Sequence, residues 1–158
     1  MTRSVIHNFF IVKICNIVLE KIYSYTQLMN TQRDRNIQQA QAILDWNKRN
    51  LKHDTHLTEM EVAHCFGDCF IVEPNGRHYE ASAATYLEFL TGMKRSMQSI
   101  DYDILHTVAD DESVLFDMVA HISHTDGRCE DFIAMLLMRF GKDGKLKLWK
   151  EVYLPQVE

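Results

Sequence analysis

Two hydrophobic periods divide the chain. The first is helical. From Thr31 to Asn50, Ile37, Ala40, Leu44 and Leu51 recur on one face, with Ile43 alongside. Thr31 or Asn30 can cap this helix. After a short polar link, Lys52 to His56, the run Thr58-Glu59-Met60-Glu61 has capping-box spacing and predicts a second, short helix through about Cys65. Ser82 to Met97 gives the strongest helical pattern. Tyr86, Phe89, Leu90, Met93 and Met97 form one stripe, and Lys94 and Arg95 lie near its C-terminal end, where the helix dipole favours cations.

The second period is two. Phe66 to Val72 is apolar and leans to β after Gly67, Pro74-Asn75-Gly76 marks a turn, and Arg77 to Glu80 returns as a strand. Beyond the third helix come four long strands. Ile100 to Val108 puts Tyr102, Ile104, His106 and Val108 on one face. Ser113 to His124 carries Val114, Phe116, Met118, Ala120 and Ile122 on one face and Leu115, Asp117, Val119, His121 and Ser123 on the other. Cys129 to Phe140 follows. The last strand, within Gly144 to Pro155, sets Leu146, Leu148, Lys150, Val152 and Leu154 against Lys147, Trp149, Glu151 and Tyr153. Asp110-Asp111, Thr125-Asp126-Gly127 and Lys142-Asp143-Gly144 supply the turns. Helices followed by a strand meander predict an α+β fold: a cone-shaped, curved antiparallel sheet with three helices packed on its concave face and a cavity between the layers.

Residues Met1 to Leu28 differ from the rest. Val5 to Leu19 is mostly apolar, but Asn8, Lys13 and Asn16 interrupt it short of the roughly 18 residues of a membrane span. Arg3 is a weak basic start for a signal peptide, and no small-residue cleavage site follows Leu19. Three readings stay open: an extra helix packed on the domain, a weak membrane anchor, or an upstream stretch outside a working protein that starts at Met29. The change to polar, helix-rich sequence at Met29 favours the third. The domains are therefore a 1–28 extension and a 29–158 α+β domain.

Composition narrows the classes further. At 158 residues, 46% hydrophobic and 25% charged, the chain suits one globular domain. A net charge of -5 gives no basic excess for nucleic acid or anionic lipid. Cys15, Cys65, Cys69 and Cys129 show no disulfide framework and read as reduced thiols, which implies a cytoplasmic location. His53-x-x-His56 and His64-Cys65-x3-Cys69 match no standard zinc finger, so no metal is expected. No Gly-rich phosphate loop and no nucleophile elbow occur, and no cofactor is expected.

The order helix, short helix, hairpin, helix, long strands resembles the SnoaL-like proteins of the nuclear-transport-factor-two-like superfamily. The resemblance runs from about Asn36 to Leu154. It rests on Phe70-Ile71-Val72-Glu73-Pro74 with Gly76, on Tyr86-Leu87-Glu88-Phe89-Leu90, and on Asp143-Gly144-Lys145-Leu146 leading to Glu151. That fold hosts polyketide cyclases, steroid isomerases, epoxide hydrolases, dehydratases and non-catalytic binding or dimerisation modules. It implies a fold, not a reaction. Members often carry an aspartate a few residues after the glutamate of the last strand, where this chain has Leu154 and Pro155.

Three residues are candidate acids or bases: Glu151, Asp117 and His121. Trp149 and Tyr153 would flank Glu151, and an apolar surround raises a carboxyl pKa toward the range useful for proton transfer. The competing reading pairs Glu151 with a neighbouring Lys or Arg. Asp117 and His121 share a strand face and could act as a base and its orienting partner, or form a polar pair at a dimer face. With Asp117 and Glu151, Arg139 could complete a carboxylate–guanidinium–carboxylate group of the kind used by the epoxide hydrolases the chain resembles, or a structural ion-pair network. Tyr153, Trp149, Arg139, Tyr86, Phe89 and His106 are candidate ligand-binding residues; the stripe that holds Tyr86 and Phe89 is more often core, and His106 reads as a satisfied core histidine. Two functions follow. One is cofactor-free proton transfer, isomerisation, cyclisation or hydration of a small apolar carbonyl compound. The other is a non-catalytic ligand-binding or dimerisation module. A homodimer is expected under both.

Overall fold

The computed structural model describes residues 3–156, with side chains described for 17–27 and 31–156. Three helices, α1 (Arg3–Asn50), α2 (Glu59–Phe66) and α3 (Ala83–Met93), accompany six strands: β1 (Cys69–Pro74), β2 (Tyr79–Ser82), β3 (Met97–Ala109), β4 (Ser113–His124), β5 (Cys129–Phe140) and β6 (Leu146–Pro155). The sheet order is β2-β1-β6-β5-β4-β3. This is the expected α+β arrangement, with one refinement. β1 runs parallel to β6, because no hairpin joins them; the chain passes through β2, α3 and the β3–β5 strands before it returns.

The local signals act as read. Thr58 and Glu61 form a reciprocal capping box on α2, and Ser82 and Thr85 form a second on α3. The cap expected at Thr31 does not form. α1 is continuous there, and the Thr31 hydroxyl donates to the Gln27 carbonyl inside the helix. The change in composition at Met29 is therefore not a break in the helix. Residues 17–27 are exposed throughout, so this stretch is not packed on the domain. Among the described residues, no helix is long and apolar enough to cross a membrane.

The core lies between the helices and the sheet. Leu44, Leu51, Phe66, Leu90, Phe116, Leu136, Met138 and Leu146 are almost fully buried. Phe66 meets Trp46, Phe70, Tyr86 and Trp149 with ring centroids 5.5, 5.7, 5.0 and 6.0 Å apart. Lys94 is buried and donates to the Lys52 carbonyl at 2.7 Å and to the Thr55 hydroxyl and carbonyl. It fastens the link after α1 instead of capping α3 from solvent.

Three register shifts interrupt the strands, one of them between Met97 and Ser99, and the other two decide which candidate residues face the helices. In β3 the register steps from Ile104↔Met118 to His106↔Asp117, leaving Leu105 as an extra residue. In β6 it steps from Leu148↔Arg139 to Leu146↔Phe140, leaving Lys147 as the extra residue. A one-residue shift moves every later side chain to the other face. Hence Leu146 and Trp149 are both buried, and Leu148 does not share the face of Leu146. His106 likewise leaves the face of Tyr102 and Ile104.

Candidate functional site

The concave side of the sheet and the helices line an open-mouthed cavity of about 600 Å³. β6 contributes Trp149, Glu151 and Tyr153 to its wall, α3 contributes Tyr86, Phe89 and Met93, α1 contributes Asn47, and β3 contributes Tyr102. Volume and lining suit a small, mainly apolar ligand.

Glu151 is held at that wall by the β1–β2 turn. Asn75 and Gly76 have φ of 47° and 79°, and the Arg77 amide closes the turn onto the Pro74 carbonyl at 3.1 Å. This is the double-left-handed geometry that Asn-Gly favours. Asn75 then grips β6 twice. Its amide donates to the Glu151 carbonyl at 2.8 Å, and its side-chain oxygen accepts from the Tyr153 amide at 2.8 Å. The backbone on both sides of the Glu151–Tyr153 pair is thereby fixed.

Burial pushes the Glu151 carboxyl above its ordinary pKa, and a hydrogen bond from Trp149 offsets part of that rise. Among the described residues no cation pairs with Glu151. Lys150, its neighbour, points to the other face and pairs with Glu73 at 2.9 Å. Burial also raises the phenols of Tyr86 and Tyr102, and the nearby Glu151 adds to both shifts. Both stay neutral and keep their O–H donors. The site therefore offers one buried carboxyl among aromatic rings and neutral hydroxyls, with Arg77 and Glu80 exposed on the same lining.

The sequence candidates divide between two faces. Glu151, Trp149, Tyr153, Tyr86 and Phe89 line the cavity. Tyr86 is also core, whereas Phe89 is 57% exposed at the margin. Asp117, His121, Arg139 and His106 lie on the outer face, turned away from the helices. Their strand partners there are Met135 for Asp117, Asp131 for His121, Leu148 for Arg139 and Asp117 for His106. The expected Asp117–Arg139–Glu151 group is not assembled, because Asp117 and Arg139 occupy odd positions on β4 and β5 whose even positions fill the core. His106 reaches Asp117 at 2.9 Å, and His121 contacts Asp131 at 2.7 Å and Asp103 at 3.2 Å. Asp117 and His121 each have a partner of this kind, but not each other.

Asn47 and Tyr102 were not singled out from sequence as site residues. Asn47 is 4% exposed, and its Nδ2 donates to the Tyr102 hydroxyl at 3.2 Å. Its Oδ1 is buried and meets no donor among the described residues. The signal was present: Asn47 falls between Leu44 and Leu51 on the apolar stripe of α1, the position where that stripe turns polar.

The chain matches no family model and no curated protein sequence. Solved structures do match. An LEH-like epoxide hydrolase from Mycobacterium tuberculosis is 17% identical, with a TM-score of 0.60 over 77% of this chain and 84% of that one. A putative SnoaL-like polyketide cyclase from Jannaschia sp. CCS1 is 9% identical, with a TM-score of 0.60 over 78% and 87%. A second M. tuberculosis protein, solved in complex with estradiol-17β-hemisuccinate, is 12% identical, with a TM-score of 0.59 over 74% and 92%. The fold is the SnoaL-like, nuclear-transport-factor-two-like fold. At these identities the likeness establishes the fold alone.

Proposed function

We propose that this SnoaL-like domain binds a small apolar carbonyl compound in the cavity and that Glu151 transfers a proton on it without a cofactor. The observation that carries this reading is a single buried carboxyl, unpaired with any described cation and raised in pKa, on an aromatic wall. As a base, the carboxylate takes a proton from the carbon next to the carbonyl. The C–H electron pair moves onto oxygen as an enolate, and the Tyr153 hydroxyl donates to that oxygen. The carboxylic acid so formed returns the proton to a conjugated carbon, which completes an isomerisation with atoms and electrons balanced. The estradiol-17β-hemisuccinate held by one solved neighbour supports a ring compound as the ligand class.

The test is hydrogen–deuterium exchange at the α-carbon of a bound β,γ-unsaturated cyclic ketone, followed by NMR, with binding read from Trp149 fluorescence. Glu151→Gln is expected to keep binding and to lose exchange by roughly a hundredfold or more. Binding without exchange above the solvent rate would identify a non-catalytic ligand-binding module instead. The placement of Asp117, His121 and Arg139 away from the cavity favours that second reading, since it leaves Glu151 without an ionised partner.

We also propose a homodimer formed through the outer face. Ile133, Met135, Val152 and Leu154 are 50%, 56%, 53% and 65% exposed there. They are contiguous, because Ile133 pairs with Leu154 and Met135 with Val152. A solvated sheet face would carry polar residues at these positions.

A further inference from the structure

We infer that Arg77 is an anion-binding point at the cavity mouth and that the ligand is an apolar skeleton bearing a carboxylate. This rests on the reading of the cavity as a small-molecule site and adds the chemical class of its occupant.

The argument is one of charge accounting. Among the described residues that line the cavity, Arg77 is the one cation, and it is exposed. None of the ion pairs among the described residues uses its guanidinium. The nearby carboxylate of Glu73 is taken, by His78 at 2.8 Å and Lys150 at 2.9 Å. Lys48, beside the Tyr102 ring, is committed to Asp101 at 2.6 Å. The backbone of Arg77 is fixed, because its amide closes the β1–β2 turn on the Pro74 carbonyl. Beyond it, Tyr79 and Ala81 pair with Val72 and Phe70, and both line the cavity with Arg77. Glu80 pairs instead with Ile71, on the opposite face, and borders the cavity from the sheet edge.

The cavity is thus graded from apolar to cationic. Its wall of Trp149, Tyr86 and Leu90 suits hydrocarbon, and the buried Glu151 carboxyl disfavours an anion beside it. The mouth differs. Tyr79 and Phe89 are 50% and 57% exposed there, so a charge held by Arg77 keeps contact with water. A planar guanidinium presents paired N–H donors that match the two oxygens of a carboxylate. One guanidinium, with Glu80 at the edge and Glu151 inside, balances one negative charge and not the nearly double charge of a phosphate monoester. An ammonium would meet like charge, and a neutral ligand would leave the guanidinium unused.

The experiment titrates the full chain by NMR with decalin-2-carboxylate, its neutral carboxamide and the matching decalin-2-ylmethylammonium, at low and high salt. Wild type is expected to bind the acid roughly tenfold more tightly than the amide at low salt, and by a smaller margin at high salt. Arg77→Gln, checked for an unchanged melting profile, should erase that margin while keeping amide affinity. Arg77→Lys should keep part of it, and Arg77→Glu should make the ammonium the tightest of the three. Glu80→Gln should leave the acid preferred. Equal binding of acid and amide by wild type would overturn the anion point and leave the cavity reading standing. A margin that survives Arg77→Gln and Arg77→Glu would overturn it as well. So would loss of amide binding in Arg77→Gln, which would make Arg77 a structural prop of the mouth. Failure of all three compounds to bind wild type would overturn the cavity reading together with this inference.

Discussion

At the scale of residues, Glu151 carries the most consequential chemistry. Its carboxyl is raised in the folded protein because burial penalises the charged form. The sign for stability follows directly. Below the unfolded-state pKa both states are protonated and there is no penalty. As pH rises through that value and up to the raised folded value, the unfolded chain releases its proton first and stability is lost. Each tenfold difference in proton affinity is worth about 1.4 kcal/mol. Urea unfolding across the pH range should therefore show Glu151→Gln to be more stable than wild type near neutrality and equal to it in acid. A carboxyl titrating by NMR at or below the ordinary 4.5 would refute the assignment. The sequence made Glu151 legible because Trp149 and Tyr153 alternate with it on one strand. Asn47 was harder to see, since polar residues on helices are common. Only its place on the line through Ala40, Leu44 and Leu51 marks it as inward.

At the scale of elements, the β1–β2 turn is part of the site. Asn75 does two separable things. Its backbone holds a left-handed φ of 47°, and its side chain accepts from the Tyr153 amide. Asn75→Gly keeps the first and removes the second, and should cost about 1 kcal/mol. Asn75→Ala loses the hydrogen bond and adds the strain of a Cβ at positive φ, roughly a further 1–2 kcal/mol. Denaturant midpoints ordered wild type, Gly, Ala would bear this out, whereas equal midpoints for Gly and Ala would show that the turn has moved. Element order, the Asp-Gly turns and the Thr58–Glu61 capping box were all legible, because each is a local signal. Facing was legible only as far as the first bulge. Strict alternation put His106 with Tyr102, and the extra residue at Leu105 reverses that; the one at Lys147 likewise separates Leu148 from Leu146. A bulge carries no reliable sequence mark when the residue inserted, leucine or lysine, also fits a regular strand. The Asp117–Arg139–Glu151 grouping failed for a related reason. β4 and β5 carry apolar residues on both faces, so hydrophobicity could not say which face met the helices.

At the scale of the whole molecule, the sheet is a wall with two unlike faces. Its concave face closes the cavity, while its outer face presents an apolar surface crossed by His106–Asp117 and by His121 between Asp103 and Asp131. The hydrogen bond to Asp131 leads the causes that raise the His121 pKa, so this imidazole stays charged to higher pH than a free histidine, and the stability it contributes is lost as pH rises through its folded value. A two-fold axis through this face would bring Met135 and Val152 against the same patch of a second copy, the self-complementary arrangement of a symmetric dimer. Met135→Glu places an unpaired carboxylate in such an interface and should shift sedimentation from dimer to monomer. Because Met135 points away from the cavity, ligand affinity per chain should persist in the monomer. A wild-type chain that sediments as a monomer at high micromolar concentration would overturn the dimer. A Met135→Glu monomer that also loses ligand would instead mean that the sheet holds its cavity-lining curvature only when the outer face is covered, making dimerisation a condition of binding and not a neighbour to it.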